Sequence, residues 1–424
     1  MPTEQQKVRS TKSMSMQGEG GHIEQRVPQD WRFTGNERKY IAEVMDRGVL
    51  SSRHGTMNGR FEEAFAEKFG VKYAITVNTG TSTLHSAVAC AGVGKGDEVI
   101  VPAFTIICSA AAVAHHNGTP VYADIDRRTF NIDAEDVRRK ITERTKAIMP
   151  VPISGLPCDM DPIMQIAEEH GLLVIEDSAQ TFLGKDDKGR IAGTIGHCGS
   201  FSFEQTKHMT TGDGGLLVTN DPDLARRLRQ VGEHGARCVS AGSSVWDGAL
   251  VHDFIGWNYR LPELCAAVGL AQLERLDEFV AYRTKWALEY EKLITQVPWL
   301  VPQHVPDGYT HSYYAYMFTF EGEKHGVKRE DWDRALSEEG FEGGPFARII
   351  YYEPALAHMR CYGPDGYGKS IPVDADPNPK SPFAGSCPVS EQVQQRSYWL
   401  HLFFGPEYLE ENVEKLARVM KRFT

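Results

Sequence analysis

The chain reads as an α/β protein with a three-layer, mostly parallel-sheet large domain and a smaller α+β C-terminal domain. Three observations predict this. Short apolar runs alternate with helical stretches over about 150 residues, the pattern of parallel strands joined through crossover helices. A long helical stretch then runs from Leu261 to about Thr295, a length suited to a connector between domains. Beyond Pro298 the texture changes to aromatic, strand-like runs and separate helices. A chain of 424 residues is also too long for one simple core. The expected division is a polar tail over 1–34, a large domain over 35–290 and a small domain over 291–424.

Each element follows from local pattern. Glu37 to Arg47 is a helix, and so is Phe61 to Phe69, with Phe61, Ala64, Phe65 and Phe69 on one face. Tyr73 to Val77 is a strand, and the turn Asn78-Thr79-Gly80-Thr81 leads into a helix from Ser82 to Gly92. The strand Glu98 to Val101 feeds a helix from Ile106 to His115. Val121 to Ala123 precedes a helix from Asp133 to Lys140, and Ala147 to Val151 precedes one from Asp161 to His170. Leu172 to Ile175 and Gly215 to Thr219 complete the strands of the large domain. In the C-terminal part, Tyr313 to Phe318 is a strand, while Lys328 to Glu339 and Leu409 to Phe423 are helices. Residues 362–386, rich in Gly, Pro, Asp and Ser, are expected to form a long loop.

Composition removes several function classes. The formal net charge of -11 argues against a nucleic-acid binder, which would carry a basic stripe. The eight cysteines include no CxxC pair, so neither a zinc site nor a redox motif is indicated and no metal is expected. No apolar run approaches the roughly 20 residues that span a bilayer. The segment from Met1 to about Gly21 is polar, lacks the apolar core of a secretory signal and is expected to be disordered or loosely attached. The expected location is the cytoplasm.

Chemistry gathers at three places. Asn78-Thr79-Gly80-Thr81-Ser82 joins a strand to a helix. Gly80 allows close backbone approach, the helix start offers free N–H groups to a phosphate, and Thr81 and Ser82 add hydroxyls. Without a GxGxxG or Walker pattern, dinucleotide and ATP binding have no support. Glu176-Asp177 closes an apolar strand. Lys207 lies in Phe201-Ser202-Phe203-Glu204-Gln205-Thr206-Lys207-His208, six residues before Asp213-Gly214-Gly215. In an open parallel sheet, such strand-end residues face one crevice. An amine and a strand-end carboxylate sharing a pocket are the requirements of pyridoxal phosphate (PLP) chemistry. Read singly, each has a plainer account: a helix cap for the Gly80 turn and for Asp177, a surface lysine for Lys207.

The segments Gly80-Thr81-Ser82, Gly96 to Pro102, Phe130-Asn131-Ile132-Asp133, Thr145 to Ile148, Asp159-Met160-Asp161, Glu176 to Gln180, the Lys207 region and Gly256-Trp257-Asn258-Tyr259-Arg260-Leu261 occur together in this order. From about residue 35 to its end the chain resembles the DegT/DnrJ/EryC1/StrS family of PLP-dependent sugar aminotransferases, within the fold-type I, aspartate-aminotransferase-like proteins. The resemblance implies that Lys207 is the Schiff-base lysine and proton shuttle and that Asp177 binds the pyridine nitrogen. It assigns Gly80, Thr81 and Ser202 to the phosphate and Gln180 to the phenolic-oxygen side of the cofactor. It makes Asn258, in the Gly256–Leu261 segment, a phosphate contact reaching from the other subunit of a homodimer with shared active sites, with Trp257 and Tyr259 packing at that interface.

The implied reaction moves an amino group from glutamate or glutamine to a keto group of a nucleotide-linked deoxysugar. A free cyclitol or aminoglycoside ketone is the alternative acceptor, given weight by the bulky Tyr398-Trp399-Leu400-His401. A PLP lyase or dehydratase of the same family, and a non-catalytic regulator, are further readings. Arg53, Arg229, Arg237, Arg260 and Arg348 are candidates for a rim that meets a diphosphate. Two departures from the family pattern stand out. Ile106 occupies a position that is usually aromatic and stacks on the cofactor ring, leaving either Ile106 or Phe104 to cover it. Pro152-Ile153-Ser154-Gly155 replaces a His-Leu-Tyr-Gly stretch. One family branch, a 3-dehydratase, has histidine in place of the lysine, and the spacing to Asp213-Gly214-Gly215 aligns Lys207 rather than His208 with that position.

Overall fold

The computed structural model describes residues 30–238, 250–346, 348–357 and 381–424. The polar tail up to Gly21, and the loop expected over 362–386 as far as residue 380, lie outside the described residues. Seven strands form the main sheet: β1 (Tyr73–Val77), β2 (Glu98–Pro102), β3 (Thr119–Ala123), β4 (Thr145–Ile148), β5 (Leu173–Asp177), β6 (Cys198–Ser202) and β7 (Gly215–Thr219). Their order is β1-β7-β6-β5-β4-β2-β3. Only β7 runs against the rest, antiparallel to both β1 and β6. The chain folds straight back from β6 into β7 through residues 203–214, whereas the longer 178–197 segment carries β5 over to a parallel β6. The return loop over 203–214 carries Lys207. Ser202 pairs with Gly215 and Val77 pairs with Gly215, so the ends of β1 and β6 meet at one edge of the sheet.

Helices cover both faces. They are α1 (Glu37–Arg47), α2 (Met57–Phe69), α3 (Gly80–Cys90), α4 (Cys108–His115), α5 (Ala134–Lys140), α6 (Met160–His170) and α7 (Pro222–Gly232). After a two-stranded ribbon of β8 (Ala236–Cys238) and β9 (Leu250–His252) come α8 (Glu263–Glu274) and α9 (Leu276–Ile294). One core sets Phe61, Phe65 and Phe69 of α2 against Phe182, Phe201 and Phe203, with the Phe65 and Phe69 rings stacked at 4.1 Å. The smaller unit has a three-stranded antiparallel sheet of β10 (Leu300–Pro302), β11 (Ala315–Phe320) and β12 (Ser397–His401). Its helices are α10 (Arg329–Glu338), α11 (Pro354–Ala357), α12 (Pro388–Arg396) and α13 (Pro406–Met420). No helix among the described residues is long and apolar enough to cross a membrane.

Several boundaries differ from the sequence pattern, each for a physical reason. The helix expected from Phe61 begins at Met57, because Glu263 caps it by accepting from the N–H groups of Met57 (2.7 Å) and Asn58 (3.1 Å). The strand expected over 147–151 ends at Ile148, since Pro150 and Pro152 have no N–H to continue a ladder. β6 gives no apolar run because four of its five residues are Cys, Gly or Ser; a Cβ at Gly199 would lie 1.9 Å from the Gly193 oxygen. The long helix from Leu261 is two helices, broken at Arg275 (φ -110°, ψ 11°). The Arg275 guanidinium donates to the carbonyls of Arg32 and Trp31 there. The break turns the chain from the large sheet, where α8 packs on α1 and α2, to the small sheet beneath α9.

Candidate active site

A cavity of about 490 Å³ opens at the shared edge of β1, β5 and β6. Gly80, Thr81, Asp177, Gln180, Ser202 and Lys207 all line it, together with Thr105, Ile106, Cys108 and Glu204. Asn258 does not. It is exposed on the segment following β9, where its Oδ1 accepts from the Arg260 N–H at 3.4 Å. That segment is tied to the approach to α3: the Asn78 N–H donates to the Tyr259 carbonyl (2.8 Å), and the Tyr259 hydroxyl lies 2.8 Å from His85 Nδ1.

At the start of α3, Thr79 caps the helix by accepting from the Ser82 N–H at 3.0 Å. Ser82 Oγ turns back to Asn78 Oδ1 and is spent on the cap, so Ser82 does not join Thr81 on the cavity wall. Gly80 is required sterically: a Cβ there would lie 2.6 Å from Ser202 Cβ. The close approach brings the positive end of α3 and the Ser202 hydroxyl to one spot, a cradle suited to a phosphate.

The acidic pair splits because successive strand side chains point to opposite faces. Glu176 turns away from the cavity and accepts from the N–H groups of Gly193 (2.7 Å), Ile195 (2.7 Å) and Gly196 (2.6 Å). Asp177 faces the cavity, and Ser109 Oγ donates to its Oδ2 at 2.7 Å. Burial pushes the Asp177 carboxyl above the ordinary carboxylate range, opposed by Ser109, the Ala179 N–H and the charge of Lys207. No ion pair neutralises Asp177 among the described residues, so a cationic ring nitrogen is a partner that fits it.

Gln180 is 3% exposed and accepts from the Ser154 N–H through Oε1 at 2.8 Å. That bond fixes the amide orientation, leaving the NH2 as a donor at the cavity wall. Ser154 sits at φ 61°, in the left-handed region, with its hydroxyl donating to the Ala315 carbonyl. The 152–155 stretch therefore holds Gln180 through a backbone N–H, a bond that does not depend on the side chains in which the stretch departs from the family. Of the two residues offered for the ring face, Ile106 is on the wall, whereas Phe104 is 1% exposed and packs against Phe346 at 4.2 Å.

Lys207 Nζ lies 4.3 Å from the centre of the Tyr314 ring. His208 points into the core, with Nε2 2.8 Å from the Ser312 carbonyl oxygen. Burial holds its pKa well below the usual histidine range, so the ring is neutral and outside the cavity. The sequence pattern assigned no role to Thr105, Ser109, Glu204 or Tyr314, although Glu204 lies inside the Lys207 segment. None of the five candidate rim arginines lines the cavity; Arg229 pairs with Glu62, Arg237 with Asp253, and Arg53 and Arg260 with Glu233.

An amine, a buried carboxylate and a helix-start phosphate cradle on a mostly parallel sheet define a PLP-dependent enzyme of the fold-type I aminotransferases. The model of the DegT/DnrJ/EryC1/StrS aminotransferase family matches residues 32–421, and the chain belongs to that family. The GDP-perosamine synthase of Caulobacter vibrioides is 41% identical over 329 residues, covering 77% of this chain and 86% of that protein. The crystal structure of 3-amino-5-hydroxybenzoic acid synthase is 31% identical with a TM-score of 0.76, covering 91% of this chain and 96% of that one. The aminotransferase from Psychrobacter cryohalolentis is 29% identical with a TM-score of 0.78, covering 92% of this chain and 98% of that one. The protein is a PLP-dependent aminotransferase.

Proposed function

We propose that the enzyme transfers an amino group from glutamate or glutamine to a keto group of a nucleotide-linked deoxysugar, with Lys207 moving the proton. The observation that carries this reading is the meeting of Lys207, Asp177 and the α3 start in one cavity. PLP, when bound, supplies the electron sink that makes the proton on the amino-bearing carbon removable. Lys207 takes that proton at Nζ as general base and returns it as general acid. Asp177 would hold a proton on the ring nitrogen, with Ser109 orienting the carboxylate. Gly80, Thr81 and Ser202 would hold the phosphate. The Gln180 amide would donate to the phenolic oxygen, and Ile106 would provide an apolar wall that excludes water.

Support for the acceptor comes from the relatives. Similar proteins include the GDP-perosamine synthases of Caulobacter vibrioides and other bacteria, so a GDP-linked keto sugar is the first acceptor to try. The bulky 398–401 segment gives little weight to a smaller acceptor: Tyr398, Trp399 and Leu400 are buried in the small unit, and none lines the cavity. The position of Lys207 disfavours the dehydratase reading.

In this reading the working unit is a homodimer in which Asn258 of each subunit reaches the phosphate held by the other. The exposed Phe254, Ile255 and Trp257 beside Asn258 support a partner at this segment. A cytoplasmic site of action fits cysteines that form no disulfide among the described residues. The test of the reading is Lys207→Ala, which is expected to abolish turnover while the protein still retains cofactor; near-normal turnover would refute it.

A further inference from the structure

Two arginines outside the cavity converge on the loop that carries Lys207. Arg32 is 1% exposed and Arg283 is 2% exposed. Arg32 Nη1 donates to the Gln205 carbonyl at 2.8 Å, and its Nη2 donates to those of Lys207 (2.7 Å) and His208 (3.2 Å). Arg283 Nη2 donates to the carbonyls of Thr206 (2.7 Å) and Lys207 (2.8 Å). Four consecutive loop carbonyls are thus held by two guanidinium forks, and that of Lys207 is held by both.

Hydrogen bonds from a charged donor are about twice as strong as neutral ones, and a guanidinium fork fixes direction as well as distance. Arg283 reaches further. Its Nη1 donates to the Tyr314 carbonyl at 2.7 Å, and the Tyr314 ring is the one beside Lys207 Nζ. The Tyr314 hydroxyl in turn lies 2.8 Å from Thr206 Oγ1. Arg32 is itself anchored, because its carbonyl accepts from Gln272 Nε2 at 2.6 Å and from Arg275 Nη1 at 3.2 Å. A buried guanidinium is costly unless fully partnered, and both of these have only backbone carbonyls as hydrogen-bond acceptors in the bonds just named. Burial lowers the Arg32 pKa to about 10 and the Arg283 pKa to about 9, with Glu204 opposing, so both are cations at neutral pH.

We propose that Arg32 and Arg283 are positioning residues for Lys207, clamping the 205–208 backbone so that the amine stays poised between the cavity and the Tyr314 ring. The proposal rests on Lys207 being the proton-moving lysine. Without the clamp, a loop between two antiparallel strands has slack to swing its side chain. A misplacement of about 1 Å in a reacting group lowers the rate on the order of 100-fold.

Arg32→Lys and Arg283→Lys keep the charge and lose the fork. Each variant is compared with wild type and with Lys207→Ala in single-turnover reaction with the amino donor. The expected result is full cofactor occupancy, a rate constant lower on the order of 100-fold, and an unchanged donor KM. In the cofactor-free variants, amide hydrogen exchange over 204–208 should be faster than in wild type. Folded variants with the wild-type rate constant, or with only KM raised, would overturn the clamp. Should both variants fail to fold, the wild-type protein still decides. Its cofactor-free Lys207 amide, which donates to the Glu204 carbonyl, should exchange as slowly as those of β6 and β7, and free exchange there would overturn the proposal. Retained turnover in Lys207→Ala would instead refute the role of Lys207.

Discussion

Asp177 is a carboxylate whose burial is unfavourable until a cation joins it. Its pKa is raised in the protein, so its contribution to stability is fully present below the unfolded carboxylate range and is lost as pH rises through the raised value. The cofactor-free protein therefore carries an only partly compensated cost at neutral pH that a protonated ring nitrogen would relieve. The gain in Tm on adding PLP should be larger at neutral pH than near pH 5, and Asp177→Asn should flatten that difference. An equal gain at both values in wild type would count against the pairing. Ser109→Ala removes the hydrogen bond that opposes the upward shift. It should weaken cofactor binding in the same sense as Asp177→Asn but by less, on the scale of one hydrogen bond to a charge, about 1.5–3 kcal/mol. Equilibrium binding followed by visible absorbance measures it.

At the level of elements, the site depends on how α3 meets β6. Gly80→Ala would drive a methyl into Ser202 while leaving both strands paired. The expected outcome is a folded protein whose PLP affinity falls on the order of 10-fold, about 1.4 kcal/mol, in a dialysis titration. Thr79→Ala removes the α3 cap and should lower unfolding free energy by about 1 kcal/mol in urea. The same elements show what the sequence makes legible. β1 and β7 stand where their apolar runs place them, because buried strands of five residues need little beyond composition. β6 was not legible, since its Gly and Ser residues serve close packing against the 193 turn rather than an apolar face. The start of α2 was hidden because its cap, Glu263, is about two hundred residues away. In the site, the Gly80 turn, the Asp177 strand end and the Lys207 loop each leave a local mark. Ser109, Arg32 and Arg283 leave none, since only tertiary folding brings them to Asp177 and Lys207.

For the whole molecule, the seven-stranded sheet brings six of the seven residues named from sequence to one cavity, and Asn258 stands apart on an exposed segment. The proposed homodimer with shared sites would account for that separation, and subunit mixing tests it. Lys207→Ala and Asn258→Ala chains, each weak or inactive alone, should regain activity when unfolded together and reassembled. A mixed dimer would hold one site with Lys207 of one chain and Asn258 of the other. Absence of any recovery in demonstrated mixed dimers would place Asn258 in its own chain's site or outside catalysis. Amino transfer at the Lys207 cavity is decided by the visible spectrum of the purified protein before and after adding glutamate or glutamine. The expected result is a yellow protein whose band fades with one of these donors and returns on adding a nucleotide-linked keto sugar. A colourless protein that PLP fails to reconstitute, or a yellow one that no amino donor changes, would contradict it.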